Sequence, residues 1–263
     1  MAELFVKQAK QYADTRPSYP PELFQFIASK TPSQHLAWDV GTGSGQAAQS
    51  LAEIYNKVIA TDTSEKQLEY ATKLPNVLYK QTPPTMSMTE IEKKVSPQSS
   101  IDLVIIAQAL HWFDHPTFYQ QVKWILKKPH GVIAAWCYTI PRVNEKINTV
   151  LDRLYYIDSK PFWDPARKLV ENEYRSIDFP FEPVDGADHT GPFEFVTKKV
   201  MDSDDFLRYI RSWSAYQTAK EKGVELLRND VVEEFQSAWN EGGDGQKVVE
   251  FPIFLRIGRV GDV

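Results

Sequence analysis

The chain is predicted to fold as an α/β domain built on a doubly wound, mainly parallel sheet. Three observations predict it. Apolar strand-like runs alternate with helical patterns between about residues 35 and 138. One of these runs, "SSIDLVIIAQAL", is almost unbroken in its apolar character, as expected of a strand covered on both faces. Another, "HLAWDVG", opens directly into a loop with glycines at 41, 43 and 45 and then a helical pattern.

The elements follow in order. Residues 1–16 place Leu4, Phe5, Tyr12 and Ala13 in a weak helical pattern. Pro17 and Pro20 interrupt it, and Pro21 suits the first turn of a helix running to about Ser29. "HLAWDVG" is a strand ended by Gly41, and "GQAAQSLAEIY" is a helix with apolar positions at Ala47, Ala48, Leu51 and Ala52. "NKVIATDTS" is a second strand. "SEKQLEYATKL" is a helix capped by Ser64, with Gln67 three positions on, as in a capping box. "NVLYKQT" is a third strand, and a short helix is expected from Thr89. "SSIDLVIIAQAL" is the fourth strand, "DHPTFYQQVKWILK" a helix with Pro116 in its first turn, and "HGVIAAWCYTI" the fifth strand.

After about Pro141 the rhythm changes. Residues 143–157, 203–219 and 223–240 read as helices, residues 158–195 are rich in Pro, Asp and aromatics, and "KVVEFPIFLRIGRV" is a closing strand. The whole chain, 1–263, is expected to form one domain, with residues 143–246 a helical cap that meets the substrate.

Composition narrows the function. Hydrophobic residues at 42% and charged residues at 25% suit a globular protein with a real core. A net charge of -5, with no dense Lys/Arg cluster, argues against nucleic acid as a partner. Cys137 is the one cysteine, so no internal disulfide and no cysteine-rich zinc site can form, which fits a reducing compartment. The N-terminus lacks the pattern of a secretory signal, and no apolar run approaches the roughly 20 residues of a membrane helix. The expectation is a cytoplasmic protein with neither a metal nor a membrane partner.

A strand, a glycine loop and a helix form a general ligand cradle, because glycines let the backbone approach and the helix start offers free N–H groups. The loop can hold a phosphate or another nucleotide-like cofactor, or it can be a plain turn. Asp39 lies two residues before Gly41; a carboxylate there repels a phosphate and suits a cation. No GK[ST] follows, which excludes a P-loop. Asp62 ends the next strand, where a carboxylate can accept from two ribose hydroxyls. The GxGxG spacing and Asp39 argue against a nicotinamide-dependent oxidoreductase.

"LAWDVGTGSGQAAQSLA" with "VIATDTS" resembles the first two motifs of the class I S-adenosylmethionine-dependent methyltransferases. "IDLVIIAQALHWFD" is similar to the fourth strand of the subfamily called methyltransferase type 11. "YADTRPSYP", "QALHWFD", "YIRSWSAYQ" and "FPIFLRIGRV" resemble a group that includes trans-aconitate-type carboxyl methyltransferases. The resemblance implies a Rossmann-like sheet of seven strands with the last one antiparallel. It implies S-adenosyl-L-methionine as cofactor and S-adenosyl-L-homocysteine as product. Gly41, Gly43 and Gly45 would pass under the amino acid part of the cofactor, with Asp39 close to its methionine end. Asp62 would hold the ribose and Thr63 would border the adenine. Gln108, Ala109 and Leu110 would sit beside the sulfonium, and Tyr12, Arg16 and Tyr19 would fold over the cofactor. Relatives often carry an acid after the third strand, near the adenine amino group; here "TPPTMSM" has Thr85 in its place, and a backbone contact around Thr85 or Met86 is the substitute.

The expected reaction is methyl transfer to a small molecule, with a carboxylate oxygen as first candidate. The alternatives are an N- or phenol-O-methyltransferase, or a protein that binds the cofactor without turnover. A carboxylate is ionised at neutral pH and needs no base, whereas an amine or phenol more often does. His111 is read as a base, a substrate donor or a structural histidine. Trp112 is a substrate wall or core filler, as are Trp136 and Tyr138 at the end of the fifth strand. His111, Trp112 and Tyr19 are the candidates for positioning the reactants. On a continuous helix Tyr209, Trp213 and Tyr216 would share one face. Trp213 and Tyr216 are candidate substrate contacts, and Arg142 and Arg211 candidate carboxylate clamps.

Overall fold

The computed structural model describes residues 16–241, 243 and 245–261. Helix α1 spans Pro21–Ser29, with a proline in its first turn as expected. Strand β1 is Leu36–Val40, helix α2 Gln46–Ala52, strand β2 Lys57–Asp62 and helix α3 Glu65–Glu69. Strand β3 is Val77–Gln81, helix α4 Met88–Lys94, strand β4 Leu103–Ala107, helix α5 His115–Ile125 and strand β5 Val132–Tyr138. Then come α6 Glu145–Arg153, α7 Arg167–Glu171, β6 Phe193–Met201, α8 Ser203–Arg211, α9 Ser214–Glu221, α10 Asn229–Asn240 and β7 Lys247–Arg259.

Seven strands form one sheet in the order β3-β2-β1-β4-β5-β7-β6. The first five in this order pair in parallel, and β7 joins β5 antiparallel. The predicted fold class is the observed one. Strand β6 was not read from the residues. It starts in a stretch dominated by Pro, Asp and aromatics, and it carries Lys198 and Lys199.

Burial explains the strand patterns. β4 is buried at every position but its last and β5 throughout, as strands covered on both faces must be. The N-cap chemistry of α3 is only half a capping box. Ser64 Oγ accepts from Gln67 N–H at 3.3 Å, but Gln67 does not reach back. The complete box is one helix later, where Ser87 and Glu90 satisfy each other and start α4 a residue before the expected Thr89.

The described residues divide into two compact units. One holds 18–139, 168–195 and 253–261 and carries β1 to β5 with their helices. The other holds 16–17, 140–167 and 196–252. Residues 168–195, expected within the helical segment, belong with the sheet. Val170, Tyr174, Ile177, Phe179 and Phe181 join the core formed by β1, β4, β5 and α5. Beyond Val170 in the short helix α7 their chain is irregular, so no periodicity marks these residues as core in the sequence. Within the helical unit the expected helix over 203–219 is two helices, broken at Ser212 and Trp213. Tyr209 and Tyr216 therefore do not share one continuous helical face, and Trp213 sits at the N-cap of α9. Among the described residues no helix is long and apolar enough to cross a membrane.

Candidate functional site

The strand order reverses between β1 and β4. In an open α/β sheet the ligand crevice lies outside the carboxyl ends of the strands at that reversal. β1 ends at Val40 and delivers the glycine loop; β4 ends at Ala107 and delivers Gln108, Ala109 and Leu110.

The loop is held by its neighbour strand. Gly41 and Thr42 N–H both donate to Thr61 O at 2.9 Å. Gly43 N–H donates to Asp62 Oδ2 and Ser64 N–H to Asp62 Oδ1, each at 2.8 Å. Asp62 thus cross-links the two loops that end β1 and β2, and each oxygen keeps a further lone pair for another donor. Burial raises its pKa, while the Ser64 and Gly43 amides oppose the shift. Gly41 and Gly45 must be glycine for two reasons. Both have positive φ, +69 and +83. A Cβ at Gly41 would also stand 2.9 Å from Ala109 Cβ, and one at Gly45 2.5 Å from Tyr79 Oη.

Asp39 lies under the loop and is 0% exposed. Its Oδ2 accepts from Thr42 Oγ1 at 2.5 Å; its Oδ1 has no hydrogen-bond partner of normal geometry among the described residues. Burial pushes its carboxyl up to about 7, Asp62 adds to the rise, and Thr42 and the Ala48 amide oppose it. Ser44 Oγ, Gln67 Oε1 and Tyr79 Oη are likewise buried without partners. A buried polar atom without a partner calls for an explanation. Several grouped around one glycine loop, with an acid that lacks a counter-charge, fit a cationic ligand with polar groups of its own. Asp39 itself exposes no surface and lies beneath the loop. Among the described residues, its one side-chain hydrogen bond runs to Thr42 in the loop above it.

Gln108 stands in left-handed backbone, φ +57. Its side chain continues the β4–β5 ladder: Nε2 donates to Tyr138 O at 3.1 Å and Oε1 accepts from Tyr138 N–H at 3.0 Å. It therefore shapes the turn through its side chain. Ala109 is half-buried against Gly41, whereas Leu110 is 0% exposed and belongs to the core. His111 is buried, and its Nδ1 lies 2.9 Å from Tyr174 Oη. Trp112 packs beside it with ring centroids 4.4 Å apart and is 39% exposed.

The other predicted residues divide clearly. Trp136 is 0% exposed and lies edge-on to Tyr19 and Phe24, so it is core and not a wall. Tyr138 is buried as well. Tyr19 is half-buried on Trp136, and Thr63 is exposed with its carbonyl accepting from Gln81 Nε2. Thr85 is exposed, and Met86 O already accepts from Gln121 Nε2 at 2.5 Å. Tyr12 lies outside the described residues. In the helical unit, Arg16 donates to Ser212 O at 2.8 Å and stacks over Tyr209. Arg142 is paired with Asp152 at 2.7 Å, and Tyr216 Oη donates to Glu225 at 2.8 Å. Trp213 packs among Tyr155, Trp163 and Tyr209. Arg211 is half-buried, with its carbonyl accepting from Gln217 Nε2. Arg142, Trp213 and Tyr216 thus have partners within the chain, and the helix break at Ser212 and Trp213 corrects the expectation that Tyr209, Trp213 and Tyr216 share one helical face. Among the described residues no group of three or more His, Cys, Asp or Glu converges as a metal would require.

Sequence reading missed Tyr79, Ser44, Gln67 and Tyr174. The first three lie within or beside quoted motifs, and their unpartnered atoms are a tertiary fact. Tyr174 arrives from irregular chain and has no sequence signal.

Residues 38–135 match a family model described as "Methyltransferase domain". A Dictyostelium discoideum protein named "Putative methyltransferase" is 31% identical over 253 residues, 94% of this chain and 91% of that one. A Saccharomyces cerevisiae protein named "Probable S-adenosylmethionine-dependent methyltransferase" is 25% identical over 234 residues, covering 80% of this chain and 79% of its own. A solved structure of a "Putative Type II Methyltransferase" from Anaeromyxobacter dehalogenans superposes with a TM-score of 0.79 at 32% identity. The match covers 94% of this chain and 99% of that one.

Proposed function

We propose, from the premise that this chain belongs to the class I S-adenosylmethionine-dependent methyltransferases, that it methylates a carboxylate oxygen of a small acceptor. The observation that carries the cofactor half is the buried carboxylate of Asp39, without a counter-charge, beneath a glycine loop with unpartnered polar atoms around it. S-adenosylmethionine brings the positive charge and the polar groups this cradle lacks. Gly41, Gly43 and Gly45 carry its amino acid part. Asp62 accepts from its ribose with the lone pairs left over from Gly43 and Ser64.

The bound cofactor supplies a methyl group already activated by its sulfonium. The chain's work is then to align the acceptor and exclude water. Gln108 fixes the turn after β4 through its two bonds to Tyr138, and this sets where Ala109 and His111 stand. A base that abstracts a proton gains from a carboxylate behind it, which stabilises the imidazolium. His111 has a phenol on its Nδ1 side. That supports a nucleophile that arrives ionised, as a carboxylate does.

The test is methyl transfer from cofactor labelled in the methyl group to a panel of small di- and tricarboxylic acids, trans-aconitate among them. The expected product is a methyl ester that releases label in mild base. Base-stable label on amines or phenols would overturn the carboxylate assignment and leave the family intact. Cofactor binding without transfer to any acid, amine or phenol would overturn catalysis.

A further inference from the structure

Asp39, Ala60 and Tyr79 lie in one row across the sheet. Asp39 of β1 pairs with Ala60 of β2, and Ala60 pairs with Tyr79 of β3. Residues in register on neighbouring strands point to the same face. The middle position carries only a methyl group, so no long side chain at that register of β2 separates the acid from the phenol. The phenol end reaches the start of α2, where a Cβ on Gly45 would stand 2.5 Å from Tyr79 Oη. Asp39 lies under the same stretch, bonded to Thr42 and beside the Ala48 amide. Asp39 Oδ1 and Tyr79 Oη are each buried without a hydrogen-bond partner among the described residues. Burial pushes the Tyr79 phenol up to about 12, and the charge of Asp39 adds to the rise.

The neighbours leave Tyr79 as the donor best suited to Asp39. Asp62 on β2 brings a like charge that works against ionising Asp39, and its oxygens already accept from Gly43 and Ser64. Lys73 lies with Nζ 4.8 Å from the Tyr79 ring centroid and donates to Leu68 O. Gln67 Oε1 can only accept, whereas Ser44 Oγ and Tyr79 Oη can each donate. Of these two hydroxyls the phenol is the more acidic and hence the stronger donor.

We infer that Tyr79 is a positioning residue: from β3 its hydroxyl turns to Asp39 and holds that carboxylate in its ionised form, the form a cationic ligand requires. The proton lost by Asp39 passes to solvent, and Tyr79 keeps its own. The use of this support in binding S-adenosylmethionine rests on the cofactor reading above.

The Asp39 carboxyl, raised to about 7, is mostly protonated in the free chain at pH 6 and mostly ionised at pH 8. At pH 6 binding a cation ionises it, so binding gains the support of the phenol. At pH 8 the carboxylate is supported before and after binding, and the effect cancels. Removing the hydroxyl therefore weakens binding more at the lower pH.

The experiment is isothermal calorimetry of S-adenosylmethionine binding to the full chain at pH 6 and pH 8. Tyr79→Phe keeps the ring, and its affinity is expected to fall about tenfold at pH 6 and less than about threefold at pH 8. In the Asp39→Asn background the same substitution is expected to change affinity less than about twofold at either pH. An equal loss at both pH values marks a merely structural role and overturns the inference. So does a pH-dependent loss in Ser44→Ala with none in Tyr79→Phe. A second measurement needs no cofactor: NMR of the chain labelled with ¹³C-aspartate and ¹³C-tyrosine, with Asp39 identified by the loss of its signal in Asp39→Asn. The Asp39 midpoint is expected to rise about one pH unit in Tyr79→Phe, and an unmoved midpoint overturns the inference. If Tyr79→Phe does not fold, the wild type decides. One tyrosine Cζ signal should move with the Asp39 midpoint and stay still in Asp39→Asn, and no such signal overturns the inference. A failure of the cofactor reading shows up as absent binding and leaves these titrations as they are.

Discussion

Asp39→Asn at varied pH gives the sharpest test of the cofactor cradle. Burial moves the Asp39 carboxyl from 3.8 to about 7, so ionising it in the folded chain costs roughly 4 kcal/mol. A single positive charge about 6 Å away at an effective dielectric near 20 returns roughly 3 kcal/mol, equivalent to about two pH units. Binding a cation therefore expels the proton. In the wild type, S-adenosylmethionine affinity should rise about tenfold between pH 6 and pH 8, with proton release near neutrality. The cofactor's own α-amino group titrates at roughly 8 and works in the opposite direction. The ratio of wild-type to Asp39→Asn affinity at each pH isolates the carboxylate. Isothermal calorimetry in buffers of different ionisation enthalpy reads both affinity and proton count. A ratio that stays flat from pH 6 to 8, or proton uptake on binding, would refute the reasoning. The same shift governs stability without cofactor. The folded carboxyl keeps its proton up to about 7 and the unfolded one loses it near 3.8, so stability falls as pH rises between these values and levels off above. Asp39→Asn removes that fall.

Three other outcomes are expected. Gly45→Ala forces a side chain into φ +83 and against Tyr79, and should cost about 2 kcal/mol in urea unfolding; adding Tyr79→Phe should restore part of it, and a cost under about 0.5 kcal/mol would contradict the geometry. Asp62→Ala removes the acceptor for Gly43 and Ser64 together with the proposed ribose contact, so calorimetry should show at least a tenfold loss of cofactor affinity; unchanged affinity would remove Asp62 from the site. Arg256→Met leaves the Ile177 carbonyl without its donor, takes one of two donors from the carbonyls of Tyr174 and Thr190, and should lower stability by roughly 3 kcal/mol by chemical denaturation.

The strands β1 to β5 were legible because each is a short apolar run bounded by turn residues, and period and length suffice to read it. The glycine loop and Asp62 were legible because backbone freedom and a strand-end acid are written in residue type. β6 was not, since its start is buried in proline-rich chain. The face expected of Tyr209, Trp213 and Tyr216 failed because the helix breaks at Ser212, where no proline or glycine announces it. Trp136 read equally well as wall or core, and only its packing on Tyr19 and Phe24 decided for core.

The sequence by itself determined the fold class and the place of the glycine loop and its two strand-end acids. These depend on local quantities: apolar period, glycine spacing and one acid on each of two neighbouring strands. The tertiary structure decided what each polar group does. It placed Asp39 beneath the loop, set Asp62 to bind two loops together, turned Gln108 toward β5, and brought Tyr174 to His111 across 63 positions of chain. Hydrogen-bond partners and desolvation depend on distance in space, and irregular chain gives no pattern from which that distance can be read.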